Sequence, residues 1–197
     1  MTLSTESPRF VVERPVAALY VRSDSVYKLI GADAWDAERD ARRWRGGCPC
    51  VAHPPCAQWG RLRFTATVDP ALKALGPLAV RQVRANGGVL EHPAHSTLWA
   101  HCALPLPGQV DAHGGWTLEA AQHRWGHRAA KLTWFYVVGL SAADLPALPP
   151  LRGEPTHAIR PRFRGDHTRL CLPRAEREET PPLLATWLMR VARLTKR

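Results

Sequence analysis

Residues Pro70–Glu91 read PALKALGPLAVRQVRANGGVLE, and this stretch decides the fold class. Apolar positions recur with helical periodicity over Pro70–Asn86, a proline opens the run and Gly87-Gly88 closes it. Val89-Leu90-Glu91 follows as an apolar run too short for a helix, and reads as a buried strand. A helix delivered straight into a buried strand is the repeating unit of a parallel sheet.

The same alternation continues outward. Upstream, Val16–Val21 (VAALYV) and Ala32–Trp35 read as strands flanking a helical turn over Ser23–Leu29. Asp36–Trp44 (DAERDARRW) reads as a polar helix with Asp36 as N-cap, and Cys50–Ala52 as a brief strand. Downstream, Ser96–Ala103 reads as a helix and Leu132–Val138 (LTWFYVV) as a strong strand closed by Gly139. The expectation is an α/β fold, a mostly parallel sheet with helices on both faces. A leader spans residues 1–14, the core 15–139, a loop-rich basic insert 140–179 and a final helix 180–197 that completes the core. Thr180-Pro181-Pro182 announces that helix, whose amphipathic run is Leu183–Leu194.

A chain of 197 residues can bury a sizeable core without disulfides or metals. Its net charge of +10 points towards polyanions such as DNA. The polar start, with Glu6 and Glu13, is unlike a signal peptide, and no apolar run nears the roughly 18 residues of a membrane helix. Five cysteines without secretory context read as free thiols in a reducing cytoplasm.

Functional residues of such sheets gather at the carboxyl ends of the strands. His53-Pro54-Pro55-Cys56 and Glu91-His92 both fall there. A thiol on a proline-stiffened loop is a candidate nucleophile, and the alternative is a buried structural cysteine. The run Cys48, Cys50, His53, Cys56, with His92, His95 and Cys102, contains zinc-ligand types, but its spacing is tighter than structural sites use. Trp59 and Trp125 are candidates for base stacking or, more commonly, for core packing.

Three segments then occur in order: Pro54-Pro55-Cys56, Gly88-Val89-Leu90-Glu91-His92-Pro93, and Trp125-Gly126-His127-Arg128-Ala129-Ala130-Lys131-Leu132-Thr133 before the strand that ends in Gly139. Together with the closing proline pair they resemble the DNA cytosine-5 methyltransferases, and the size and the Lys131-Leu132-Thr133 segment resemble small phage-type members. The resemblance implies a methyltransferase-like, Rossmann-type core. It implies transfer of a methyl group from S-adenosylmethionine to C5 of a cytosine flipped out of DNA. Cys56 would be the nucleophile at C6, Glu91 the partner of N3, and Arg128 or Lys131 the basic helper. Ser23, Asp24, Asp36 and Pro54 would bind the cofactor. Arg61, Arg63, Arg160, Arg162 and Arg164 would hold the nucleic acid.

The chain departs from the family in four places. Tyr20-Val21-Arg22-Ser23-Asp24-Ser25 has no glycine where the family has a glycine-rich turn. His92 stands for an asparagine, Ala57 for a glutamine, and the insert 140–179 is small for a target-recognition domain. Two further readings stay open: a pyrimidine-C5 enzyme using another carbon donor, and a DNA-binding pseudo-methyltransferase without turnover.

Overall fold

The computed structural model describes residues 13–61, 63–151, 153–159 and 169–196. In chain order its elements are β1 (Ala17–Leu19), α1 (Val26–Leu29), β2 (Asp33–Trp35), β3 (Cys50–Ala52), α2 (Pro70–Asn86), β4 (Gly88–Pro93), α3 (Thr97–His101), β5 (Trp116–Ala121), β6 (Leu132–Val138), β7 (His157–Ala158), β8 (Leu170–Cys171), α4 (Arg174–Glu178) and α5 (Pro182–Leu194). Six strands form one sheet in the order β2-β1-β3-β4-β6-β5. The first three pairings are parallel and the two at the β5 edge antiparallel. The chain is thus an α/β protein with a mostly parallel sheet. β7 and β8 form a separate parallel pair.

Each sheet face buries its own core. Ala18, Val51 and Val89 alternate onto the face covered by α5, where Leu184, Leu188 and Val191 are fully buried. Leu19, Ala52 and Leu90 alternate onto the opposite face with Val80 and Val83 of α2 and Leu98 and Trp99 of α3. β1 and β3 are buried on both sides, so they read as continuous apolar triplets rather than alternating ones. Gly88 is needed where β4 meets β3. Its φ is +120°, and a Cβ there would lie 1.9 Å from the Cys50 carbonyl oxygen.

α2 is capped by Asp69, whose carboxylate accepts from the amides of Ala71 and Leu72. Pro77 lies inside this helix and cannot donate to the Lys73 carbonyl four residues earlier. The Trp59 indole supplies the missing donor at 3.1 Å. Gly76 makes room for it, since a Cβ there would meet Trp59 Nε1 at 2.8 Å and Leu98 Cδ1 at 2.9 Å.

One expectation needs correction, and one strand was not foreseen. Asp36–Trp44 is not an α-helix: it turns and forms one 3-10 turn, Ala41–Arg43, because Asp40 at φ +55° interrupts the run and caps that turn instead. Trp116–Ala121 is a strand that its helix-favouring Leu, Glu and Ala residues conceal; pairing with β6 overrides propensity there. Among the described residues no helix is long and apolar enough to cross a membrane.

Candidate functional site

β3 ends at Ala52, and the His53 amide donates to the Leu19 carbonyl, carrying the strand one residue further. Pro54 is buried and Cys56 exposed. The Cys56 carbonyl accepts from the amides of Trp59 and Gly60, so the chain reverses just after the thiol. Trp59 then pins the loop: its carbonyl accepts from the Thr97 amide and hydroxyl at 3.0 Å each, while its indole reaches Lys73 of α2. Cys56 therefore sits on a loop clamped between α2 and α3.

Beside it lies a polar chain. Glu91 of β4 accepts from His53 Nδ1 at 2.9 Å through one oxygen and from Gln122 Nε2 at 2.9 Å through the other. Gln122 also donates to the Thr133 hydroxyl at 3.1 Å. The Tyr27 hydroxyl is 2.9 Å from His53 Nε2. Burial would raise the Glu91 carboxyl, but the His53 hydrogen bond and the Lys131 charge outweigh it and hold it at about 2. An ionised Glu91 accepts from an Nδ1–H of His53, while His53 Nε2 faces the Tyr27 hydroxyl. Tyr27 is fully buried, and burial followed by the Glu91 charge pushes its phenol well up, so it stays a donor.

Lys131 precedes β6. Because β6 is antiparallel to β4, the start of β6 lies at the same sheet edge as the end of β4. Burial lowers the Lys131 ammonium, opposed by the charges of Glu91 and Cys56. The Cys56 thiol is exposed at the rim, yet desolvation by its surroundings raises it; Glu91 adds to this and Lys131 works against it. Lys131 is thus the cation whose field reaches both Cys56 and Glu91. Arg128 points elsewhere, to Glu176 at 2.7 Å and His157 Nε2 at 2.6 Å.

The structure thus places Cys56, Glu91 and Lys131 at one edge of the sheet and leaves Arg128 bound to Glu176 and His157. The remaining candidates divide. Arg61 is exposed, and Arg63 lies over the exposed Phe64 ring at 4.2 Å on the turn that follows Cys56. Arg160, Arg162 and Arg164 lie outside the described residues. Trp59 and Trp125 are 3% and 2% exposed, so both are packing residues. Among the described residues no group of three His, Cys, Asp or Glu side chains is arranged to hold a metal ion. Cys50 is buried in the sheet while Cys56 faces out, so the tight Cys/His run is split between environments.

The carboxylates among the cofactor candidates are already engaged within the chain. Asp36 is buried; one oxygen takes Lys28 at 2.6 Å and the other accepts from the amides of Glu38 and Arg39. Lys28 and then the Arg39 amide hold its carboxyl down at about 2. Asp24 is held by Arg22 through two hydrogen bonds of 2.8 and 2.7 Å. Ser23 is exposed, and α1 behind it has only four residues. Strand order reverses between β1 and β3, which is where open α/β sheets take ligands. Here Tyr27 and His53 pack into each other across that gap, with ring centroids 5.2 Å apart. Ser23, Asp24, Asp36 and Pro54 therefore do not fit S-adenosylmethionine: the acids are engaged internally and no glycine turn opens the backbone.

No known family model, curated protein or solved structure matches the chain. Sequence reasoning missed Tyr27, Gln122 and the pairing of His53 with Glu91. For His53 the signal was its place directly after the apolar strand β3; Tyr27 within α1 and Gln122 after β5 carried none.

Proposed function

We propose that this chain binds nucleic acid and modifies cytosine in DNA at C5, on a methyltransferase-like sheet, with Cys56 as the nucleophile. The observation that supports this reading is the placement of Cys56, Glu91 and Lys131, from three separate segments, at one sheet edge, where β3 and β4 end side by side and the antiparallel β6 begins. A net charge of +10 supports a polyanionic substrate.

The resting site holds one proton between two groups: Cys56 is a thiol and Glu91 a carboxylate. That pairing is unreactive, since the thiolate is the nucleophile. A cytosine entering from solvent displaces water and presents N3 to Glu91. The Cys56 proton passes to N3 by way of Glu91 while sulfur bonds to C6. The C5–C6 π pair then moves into the ring, and C5 becomes an enamine carbon able to take an electrophile. The C5 proton then passes to solvent water, sulfur departs from C6, and the N3 proton returns through Glu91 to that sulfur, which restores the aromatic ring and the Cys56 thiol. His53 and Gln122 hold both Glu91 oxygens in place, and Lys131 offsets negative charge on the ring. No step is derived through S-adenosylmethionine, which the present residues do not fit; the reading therefore favours a different carbon donor.

A second reading is a nucleic-acid binder without turnover. The raised Cys56 thiol and the internally engaged Asp24 and Asp36 favour it. Mass spectrometry of nucleosides from the DNA of cells producing the protein separates the two. A new C5-substituted cytosine, absent with Cys56→Ala, supports the enzyme and identifies the transferred group. Unmodified DNA alongside tight DNA binding supports the binder.

A further inference from the structure

The segment Glu176-Arg177-Glu178-Glu179 concentrates three carboxylates in a chain of net charge +10. It lies against the cations of the candidate site. Arg128 Nη1 binds the Glu176 carboxylate at 2.7 Å. Lys131 Nζ donates to the Glu179 carbonyl at 3.0 Å. Arg22 Nη1 donates to the Ala175 carbonyl at 3.2 Å. The field of Glu178 reaches Cys56, Lys131 and Arg22.

We propose that α4 and the Glu179 that follows it are an internal stand-in for a phosphate backbone: the Glu176 carboxylate occupies Arg128 and the Glu179 carbonyl holds Lys131 until a nucleic-acid strand displaces them. This rests on the nucleic-acid reading above. Two features make α4 displaceable. No residue of α4 is buried, and exposed ion pairs such as those that hold it contribute little to stability. A cavity of about 210 Å³ also remains between the Trp125–Arg128 turn and the Leu172, Glu176 and Glu179 side. Both ends of the segment are fixed. Leu172 is 1% exposed and its carbonyl accepts from Arg177 at 2.7 Å, while Pro182 begins α5, whose Leu184 and Ala185 are fully buried. α4 is therefore an arch between two posts that can lift without unfolding the core. A strand of phosphates offers the same cations more negative charge and releases counterions as it binds.

The test compares Glu176→Gln/Glu178→Gln/Glu179→Gln with a charge-matched control, Glu13→Gln/Glu38→Gln/Asp144→Asn, outside α4. Two quantities are measured: affinity for a short duplex DNA, and the rate of Cys56 alkylation by iodoacetamide without DNA, read by peptide mass spectrometry. The α4 variant is expected to bind about tenfold more tightly than the control, through Arg128 freed for phosphate and three fewer carboxylate charges beside Lys131. It is also expected to alkylate several-fold faster. If either quantity equals that of the control, α4 does not guard the site and the proposal falls. Alkylation involves no base chemistry, so it judges α4 even where DNA modification is absent.

Discussion

His53 Nδ1 lies 2.9 Å from a Glu91 oxygen, joining the carboxyl end of β3 to that of β4. The contact favours the ionised form of Glu91 and orients its carboxylate. Glu91→Gln replaces a charged acceptor with an amide that cannot accept equally from His53 and Gln122. The variant is expected to lose about 2 kcal/mol in denaturant unfolding at neutral pH. The carboxyl is held at about 2 against an ordinary 4.5. Its depressed value makes its contribution complete above pH 4.5 and lost as the pH falls towards 2. Stability of the wild type, followed over that range, should fall more steeply than that of Glu91→Gln.

His92 adds a second acid-sensitive limb. It is 1% exposed, neither ring nitrogen has a partner, and burial lowers it to about 4. The unfolded chain takes up its proton first, so stability is lost as the pH falls from 6.5 to 4. His92→Leu should abolish that slope, which is on the order of 1 kcal/mol per pH unit. It should also cost nothing at pH 7, since no hydrogen bond is broken. A variant that unfolds as easily at pH 5 as the wild type would show that His92 is not the responsible group.

The clamp on the Cys56 loop gives a coupled prediction. Trp59→Phe leaves the Lys73 carbonyl without a donor, at a cost of about 1–3 kcal/mol. Pro77→Ala restores a backbone donor to that same carbonyl. The Trp59→Phe penalty should shrink in the Pro77→Ala background, and a double-mutant cycle by chemical denaturation measures the difference. Additive effects would mean that the indole does not substitute for the missing helix bond.

Asp24 and Asp36 bear on the donor. Calorimetric titration with S-adenosylmethionine, with and without duplex DNA, should give no binding heat at micromolar protein. Asp36→Asn should lower the melting temperature, because its carboxylate holds Lys28 and two amides. Saturable binding that Asp36→Asn abolishes would overturn this view of the cofactor residues.

Much of the architecture was legible in the sequence. Proline and glycine bracket α2, and β1, β3 and β6 are apolar runs of strand length. β5 was hidden because its stability comes from pairing with β6 rather than from its own residues. The polar run from Asp36 held two caps, and local capping by Asp40 defeated the helix. Cys56 and Glu91 stood out by chemistry and position, and Lys131 by its place before β6. Tyr27 and Gln122 did not, because their roles arise from three-dimensional contacts across the sheet edge. The engagement of Asp36 by Lys28 was equally invisible, since a free and an occupied carboxylate read alike.

The central claim is that sulfur of Cys56 adds to C6 of cytosine, and release of tritium from DNA carrying [5-³H]cytosine tests it most directly. Addition makes C5 exchangeable with water whatever the carbon donor, so no cofactor needs to be supplied. The account predicts tritium release by the wild-type protein and none by Cys56→Ala, at equal DNA binding. Absence of release by the wild type, or equal release by both proteins, would contradict it.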